Sequence, residues 1–355
     1  MATFGSPAPS AGKPRSIAPG DCLVPQAGTD GISSLNWSPT ANILVSSNWD
    51  SGVRVWEVQC NAPNQIAAQP KAQVNHDAKM PVLDTCFSGD GSTVFSAGTD
   101  KAVRMWRLGE TPPNNVAQQI GVHDQPVKSV GFLASSNLVV SGGWDNKLKF
   151  WDTRSPTPAG EFQLPERCYD LDVRGNLMVV ATADRKLVVY DVSGQPREHS
   201  RVESPLKYQT RCVSCFPDQT GFAVGSLEGR VGIRYVQKVG NKDHFAFKCH
   251  RSGSDVYSVN CIAFQNTYGT FATVGADGVV TFWDKDNKQR LKAFNAIQQT
   301  IPCAAFNAQG NLFAYASSYD WSKGSGFYAP GSTPNEIHIH YTPDDEIKPK
   351  AAKKK

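Results

Sequence analysis

Val94-Phe95-Ser96-Ala97-Gly98-Thr99-Asp100-Lys101-Ala102-Val103-Arg104-Met105-Trp106 carries the grammar of the whole chain. Residues 94–98 and 103–106 are short β-prone runs, and Thr99-Asp100-Lys101 between them is a turn, so the stretch reads as a β-hairpin. An Asp in such a turn accepts hydrogen bonds from nearby backbone N–H groups. The frame has three fixed points: a Ser or Thr, an Asp four residues on, and a Trp six residues after that. It returns as Ser46-Asp50-Trp56, Ser141-Asp145-Trp151 and Thr273-Asp277-Trp283. In three copies a His (His76, His123 or His250) precedes the Asp by 22 to 27 residues.

These side chains can satisfy one another. The Asp accepts from the His, the His reaches the hydroxyl, and the hydroxyl accepts from the indole N–H, so each buried polar group finds a partner. The structural tetrads are then His76, Ser96, Asp100 and Trp106; His123, Ser141, Asp145 and Trp151; and His250, Thr273, Asp277 and Trp283. Ser, His and Asp also make a hydrolytic triad. An active site is needed once, however, whereas this set recurs at fixed spacing, and recurrence is the signature of a repeat fold.

Degraded copies extend the count. Asp184 precedes Tyr190, and Glu228 precedes Arg234 or Tyr235; Asp320 precedes a long insertion and then Ile337-His338-Ile339-His340-Tyr341. The anchors Trp56, Trp106, Trp151, Tyr190, Arg234 or Tyr235, Trp283 and His340 make seven units. Each unit cannot bury its apolar face alone, so the units stack. The expected fold is all-β, a seven-bladed β-propeller. A closed ring removes free sheet edges, and the polar sequence after His340 offers no last strand. Asp21-Cys22-Leu23-Val24-Pro25 does, and is expected as the outer strand of blade 7. The chain resembles WD-repeat proteins, although only Trp151-Asp152 and Trp283-Asp284 keep the dipeptide at the repeat end; Trp49-Asp50 and Trp144-Asp145 are turn residues.

The expected organisation is a disordered segment at 1–19, rich in Pro, Ser, Ala and Gly, then the propeller at 20–342 and a charged, Lys-rich tail at 343–355. Net charge is +4, and Lys348, Lys350, Lys353, Lys354 and Lys355 supply five positive charges. The remaining body is therefore near neutral, which disfavours a nucleic-acid-binding body. The tail reads as an import signal, a salt-sensitive RNA contact or a solvated charge run. No stretch approaches the roughly 20 apolar residues that span a bilayer, and no apolar run marks a secretory signal at the N-terminus. The nine cysteines, odd in number and irregularly spaced, suit a reducing compartment. Cys212-Val-Ser-Cys215 lacks a second half-site, and strand positions three apart face opposite ways, so no metal is expected. No phosphate loop and no unrepeated nucleophile–base pair appears, so neither an enzyme nor a cofactor is expected. The blade 7 insertion carries Trp321, Phe327 and Tyr328, as anchors for a partner or as packing onto the next blade.

Particular stretches go further: LPERCYD (164–170), ESPLKYQTRCV (203–213), GSLEGRVGIRY (225–235), FKCHRS (247–252), NLFAYASSYDWSKG (311–324) and EIKPK (346–350). Over roughly residues 20–350 the chain resembles the RAE/GLE family of mRNA export factors. The resemblance implies a monomeric adaptor in the nucleus, at the nuclear pore complex and envelope and partly in the cytoplasm. It implies binding of the GLEBS hairpin, a short segment with acidic residues in an FG nucleoporin. The family's contact residues fall on Arg230, Phe247, Trp283, Asp284 and Lys285, with two further basic positions, Lys288 and Arg290. These last two differ in residue type from the vertebrate pattern but keep its charge. Read from its own surroundings, Arg230 either pairs with Glu228 or presents its donor fork to a partner carboxylate. The sister family of kinetochore checkpoint adaptors, which hold short motifs of kinases, shares the EGRV- and KCHR-type segments. Direct contact with single-stranded RNA or an mRNP is a third reading.

Overall fold

In a computed structural model of the protein, residues 14–350 are described, except 64, 77–78, 112–114, 156, 238–242 and 330–333. Thr93–Gly98 and Ala102–Arg107 pair antiparallel, with Val94 opposite Trp106 and Ser96 opposite Arg104. Alternation sends the side chains of this hairpin both ways. Val94 and Trp106 join Val45, Val53 and Val55 of the preceding unit. Phe95, Ala97, Val103 and Met105 join Val127, Val130, Val139 and Trp151 of the following one. Burying each such side chain is worth about 1.5–3 kcal/mol, and only neighbours on both sides supply that burial.

The result is seven four-stranded antiparallel sheets. Blades 1 to 6 span residues 32–75, 82–122, 127–163, 168–203, 210–248 and 259–293, and a two-stranded ribbon, 251–256, joins blades 5 and 6. Blade 7 takes Ala304–Phe306, Leu312–Ser317 and Glu336–Tyr341, with Cys22–Leu23 as its fourth strand. Cys22 lies opposite Ile339 and Leu23 opposite His338, and the Val24 N–H donates to the Ile337 carbonyl at 2.8 Å. In blade 5 the Trp frame falls on Arg234, which is opposite Phe222 as Trp283 is opposite Phe271. Close blade packing constrains single residues: a Cβ on Gly121 in the outer strand of blade 2 would sit 2.5 Å from the Trp151 ring of blade 3.

The described segments outside the ring correct the expected boundaries at 19 and 343. Ile17 is buried among residues of blades 6 and 7, and its N–H donates to the Tyr315 hydroxyl at 2.9 Å. Arg15 pairs with Glu336. On the C-terminal side, Asp344–Ile347 forms a single helical turn, α1, with Ile347 buried against blade 6. One apolar side chain in each polar segment suffices to dock it, which composition does not reveal. Residues 1–13 and 351–355 lie outside the described part. His340 ties both segments to the ring, with Nδ1 2.7 Å from Asp21 and Nε2 3.0 Å from Glu346 of α1. Burial pulls its pKa down, but hydrogen bonds to the two carboxylates outweigh burial and raise it from 6.5 to about 9.

Two of the three His-containing networks are complete. In blade 3, His123 Nδ1 lies 3.0 Å from Asp145, its Nε2 lies 2.8 Å from the Ser141 hydroxyl, and the Trp151 indole donates to that hydroxyl at 2.7 Å. In a neutral ring this sequence of bonds has Nδ1 donating to the carboxylate and Nε2 accepting from Ser141. In blade 6, His250, Asp277, Thr273 and Trp283 repeat it at 2.8 to 2.9 Å. Blade 2 departs from the expected tetrad. His76 reaches Asp100 and Ser96, but the Trp106 indole donates to the Glu110 carbonyl at 3.1 Å. Arg104, buried opposite Ser96, shares Asp100 at 3.1 Å. Blade 1, without a His, uses Asn48 between Ser46 and the Ala27 carbonyl, and its Trp56 indole donates to the Pro25 carbonyl. Cys212 and Cys215 do face opposite ways, toward the Val259 carbonyl of blade 6 and the Asp172 carbonyl of blade 4.

Two predictions follow from these contacts. Asp145→Ala strands the His123 and backbone donors and costs about 1–3 kcal/mol, read as a lower urea midpoint; an unchanged midpoint contradicts the network. The raised pKa of His340 makes its contribution, on the order of 3 kcal/mol, fully present below about pH 6.5 and lost as pH climbs through about 9. The melting temperature of the parent therefore falls more between pH 6.5 and 9 than that of His340→Gln, and parallel curves contradict the latch.

Candidate partner-binding face

The blade 5–6 seam is built by the outer strand of blade 5, Phe245–Lys248. Its alternation turns Phe245 and Phe247 to one side, toward blade 6, while Ala246 and Lys248 face away. Phe247 packs on Trp283 with ring centroids 4.7 Å apart and on Phe271 at 6.4 Å. Trp283, half-buried, is held by its bond to Thr273. Arg290 in the outer strand of blade 6 lies opposite Trp283 and is exposed. Lys288, exposed in the loop before it, has a left-handed backbone (φ 52°) and its ammonium 4.8 Å from the Phe245 ring centre. Phe247, Trp283, Lys288 and Arg290 thus form one patch, an aromatic floor with a cationic rim. Phe245 completes the floor and was missed in the sequence, although the period-2 pair Phe245–Phe247 marks it.

Arg230 stands elsewhere. It follows the turn of blade 5, where Gly229 takes a positive φ of 58° and its missing side chain lets the Cys249 and His250 carbonyls approach. It pairs in register with Lys248 and so shares the sheet face opposite that of Phe247. Its Nε is 3.4 Å from Glu228, and its side chain stays 33% exposed. Glu228 is shared, since it also accepts the Lys207 N–H at 3.1 Å. Arg230 thus has an intramolecular partner and keeps outward donors. It sits at the end of the blade that carries the Asp turns, whereas Lys288 sits at the other end. A strand of five residues separates such ends by about 17 Å.

Asp284 and Lys285, expected as contact residues, are both buried in the chain. Asp284 accepts the N–H groups of Asp286 and Asn287 and the Asn287 amide, which shapes the loop. Lys285 lays its ammonium 5.0 Å from the Phe216 ring centre and 3.1 Å from Asp286. Both support the patch from beneath.

The blade 7 insertion divides. Trp321 stacks on Trp49 of blade 1 at 4.4 Å and meets Tyr328 at 4.9 Å. Burial and then a hydrogen bond to Asp30 push the Tyr328 hydroxyl up to about 12. These two rings pack across the ring-closing junction. Phe327 is 66% exposed, with the Lys323 ammonium 5.3 Å from its centre.

Comparison with known proteins places this geometry in context. Residues 20–57, 69–107, 115–152 and 242–284 match the family described as WD domain, G-beta repeat. The chain is 46% identical over 352 residues to Protein RAE1 of Arabidopsis thaliana, covering 99% of this chain and 97% of that protein. It is 46% identical to the mRNA export factor of Xenopus tropicalis, covering 94% and 92% of the two chains. With the Poly(A)+ RNA export protein of Schizosaccharomyces pombe the identity is 42%, over 94% of each.

Burial predicts which lysine of the loop holds the fold. Lys285→Ala loses its cation–π contact and packing and costs about 1–2 kcal/mol. Lys288→Ala, at an exposed position, stays within about 0.5 kcal/mol of the parent. Urea denaturation of both variants checks the ordering, and equal losses contradict it.

Proposed function

Because this chain belongs to the family of the RAE1 proteins and mRNA export factors, which are WD-repeat propellers, we propose that it is a non-enzymatic adaptor in mRNA export. In this role it holds a GLEBS-type hairpin of an FG nucleoporin at the nuclear pore. The observation that carries the reading is the seam of Phe247 and Trp283 rimmed by Lys288 and Arg290. An aromatic floor takes an apolar side chain of an extended segment, and the rim pairs with its carboxylates. Arg230, about 17 Å away, meets a second stretch of the same acidic hairpin. About five extended residues bridge that distance at 3.3 Å each. Propellers host many functions, so these side chains, and not the fold, support the choice of an acidic partner.

Arg230 is preorganised by its blade, and its fork suits a carboxylate. Arg230→Glu sets like charge against an acidic partner and removes one side of a desolvated charge pair, a loss of about 2–5 kcal/mol. That corresponds to roughly 30-fold to several-thousand-fold in affinity. Calorimetric titration with a GLEBS-type hairpin peptide, after each variant is shown to be folded, reads this directly. Lys288→Glu combined with Arg290→Glu weakens the same peptide from the other end. Parent-like binding by both sets of variants overturns the reading, and recovery of a checkpoint kinase in place of a nucleoporin from cell extract then supports the sister function.

A further inference from the structure

Arg230 and the aromatic floor stand at opposite ends of the blade 5–6 seam, and one side chain joins the frames that hold them. The link starts at Trp283, whose indole donates to the Thr273 hydroxyl at 2.9 Å. His250 Nε2 lies 2.9 Å from the same oxygen, and its Nδ1 lies 2.8 Å from Asp277. The buried ring of His250 is thus fixed, and its backbone turns sharply, with a φ of 47° that is uncommon outside glycine. Arg251 follows and opens the two-stranded ribbon, opposite Val256. Its guanidinium reaches back to the turn of blade 5. There Nη2 donates to the Glu228 carbonyl at 2.6 Å, and Nε donates to the Gly229 carbonyl at 3.5 Å. The next residue is Arg230. The same turn is enclosed from the other side: a Cβ on Gly229 would lie 2.7 Å from the Cys249 carbonyl and 3.0 Å from those of His250 and Tyr257. Blade 3, which carries the other complete network, lacks this reach. Asp124 follows His123 there, its N–H donates to Asp145 at 3.0 Å, and its carboxylate pairs with Lys147 of the same blade.

From this geometry we infer that Arg251 is a positioning residue for partner binding: it clamps the Glu228–Gly229 turn and so holds Arg230 in register with the floor of Phe247 and Trp283. This rests on the reading of an acidic hairpin as partner. A planar guanidinium suits the task, because its fork serves two carbonyls at once and keeps its charge. A hairpin that engages both ends of the seam has to match the spacing between them. With the turn clamped, that spacing is set before the partner arrives, which lowers the cost of ordering on binding. Without the clamp, Arg230 keeps its charge but loses its fixed place, so the loss falls at the Arg230 end. Arg251 is exposed, and both of its bonds go to main-chain carbonyls of the turn. It therefore acts on the partner through Arg230.

The test is a double-mutant cycle of Arg251→Ala and Arg230→Ala in the full-length chain, each variant first shown to be folded. Binding of a labelled GLEBS-type hairpin peptide is read by fluorescence anisotropy. Residues that act as one unit are non-additive in such a cycle. Arg251→Ala is expected to weaken the peptide about three- to tenfold in the parent, and by less than about twofold where Arg230 is already Ala. Arg251→Lys keeps the charge but replaces the fork with a single ammonium, and is expected to recover little of the loss. An equal loss in both backgrounds makes Arg251 a contact of its own or a general support of the fold, and overturns the inference. Full recovery by Arg251→Lys overturns it as well, since charge alone then suffices. Arg230→Ala reports on the partner separately. A loss there with parent-like binding by Arg251→Ala overturns the clamp alone, whereas parent-like binding by Arg230→Ala takes Arg230 out of the site and overturns both.

Discussion

A blade of this protein has two apolar faces and cannot bury either by itself, so the ring must close. Closure rests on a two-residue strand. Cys22 and Leu23 pair with Ile339 and His338 from the far end of the chain. Val24 and Ala27 then enter the core that joins blade 7 to blade 1. Because every interface is of the same kind, loss of one exposes two apolar faces. His340 reinforces this joint, since its protonated ring holds Asp21 and Glu346 at once.

Polar groups between the blades are satisfied in pairs that cross from one unit to the next. Asp84 of blade 2 accepts the Val130 N–H of blade 3 at 3.0 Å. Asp170 and Asp172 of blade 4 accept the N–H groups of Val213 and Cys215 in blade 5 at 2.8 and 2.6 Å. Burial pushes the Asp84 carboxyl up to about 7. The His networks add further bonds at the Asp turns of blades 2, 3 and 6. An unpaired buried group costs about 1–3 kcal/mol, so these bonds fix how neighbouring blades align.

Rigidity of this kind is what a binding platform needs. The Trp283 indole is fixed by Thr273, Phe247 rests on Trp283, and Asp284 and Lys285 shape the loop from below. Lys288 and Arg290 are therefore presented from a supported frame, and preorganisation of that kind lowers the entropic cost of any association. The Lys350 carbonyl, which accepts from the side-chain amides of Asn287 and Gln289, adds a third support to the same loop.

Periodic features of the chain were legible without coordinates. The spacing of Ser, Asp and Trp determined the hairpins, their number determined seven blades, and the polar stretch after His340 determined that the closing strand comes from the N-terminus. These follow from local hydrogen-bond geometry and strand alternation, which are written into neighbouring residues. The candidate site was legible in part: the resemblance pointed to its residues, but the two buried ones, Asp284 and Lys285, looked no different in sequence from exposed Lys288. What only the tertiary structure decided depends on which distant residues share a volume. It turned the Trp106 indole away from Ser96, because buried Arg104 occupies the neighbourhood. It separated Arg230 from Phe247 onto opposite faces of one sheet. It docked Ile17 and Ile347, each a single apolar side chain in a polar segment, and so brought the described residues on either side of them onto the ring. Burial is a property of packing between elements far apart in sequence, and no local pattern encodes it.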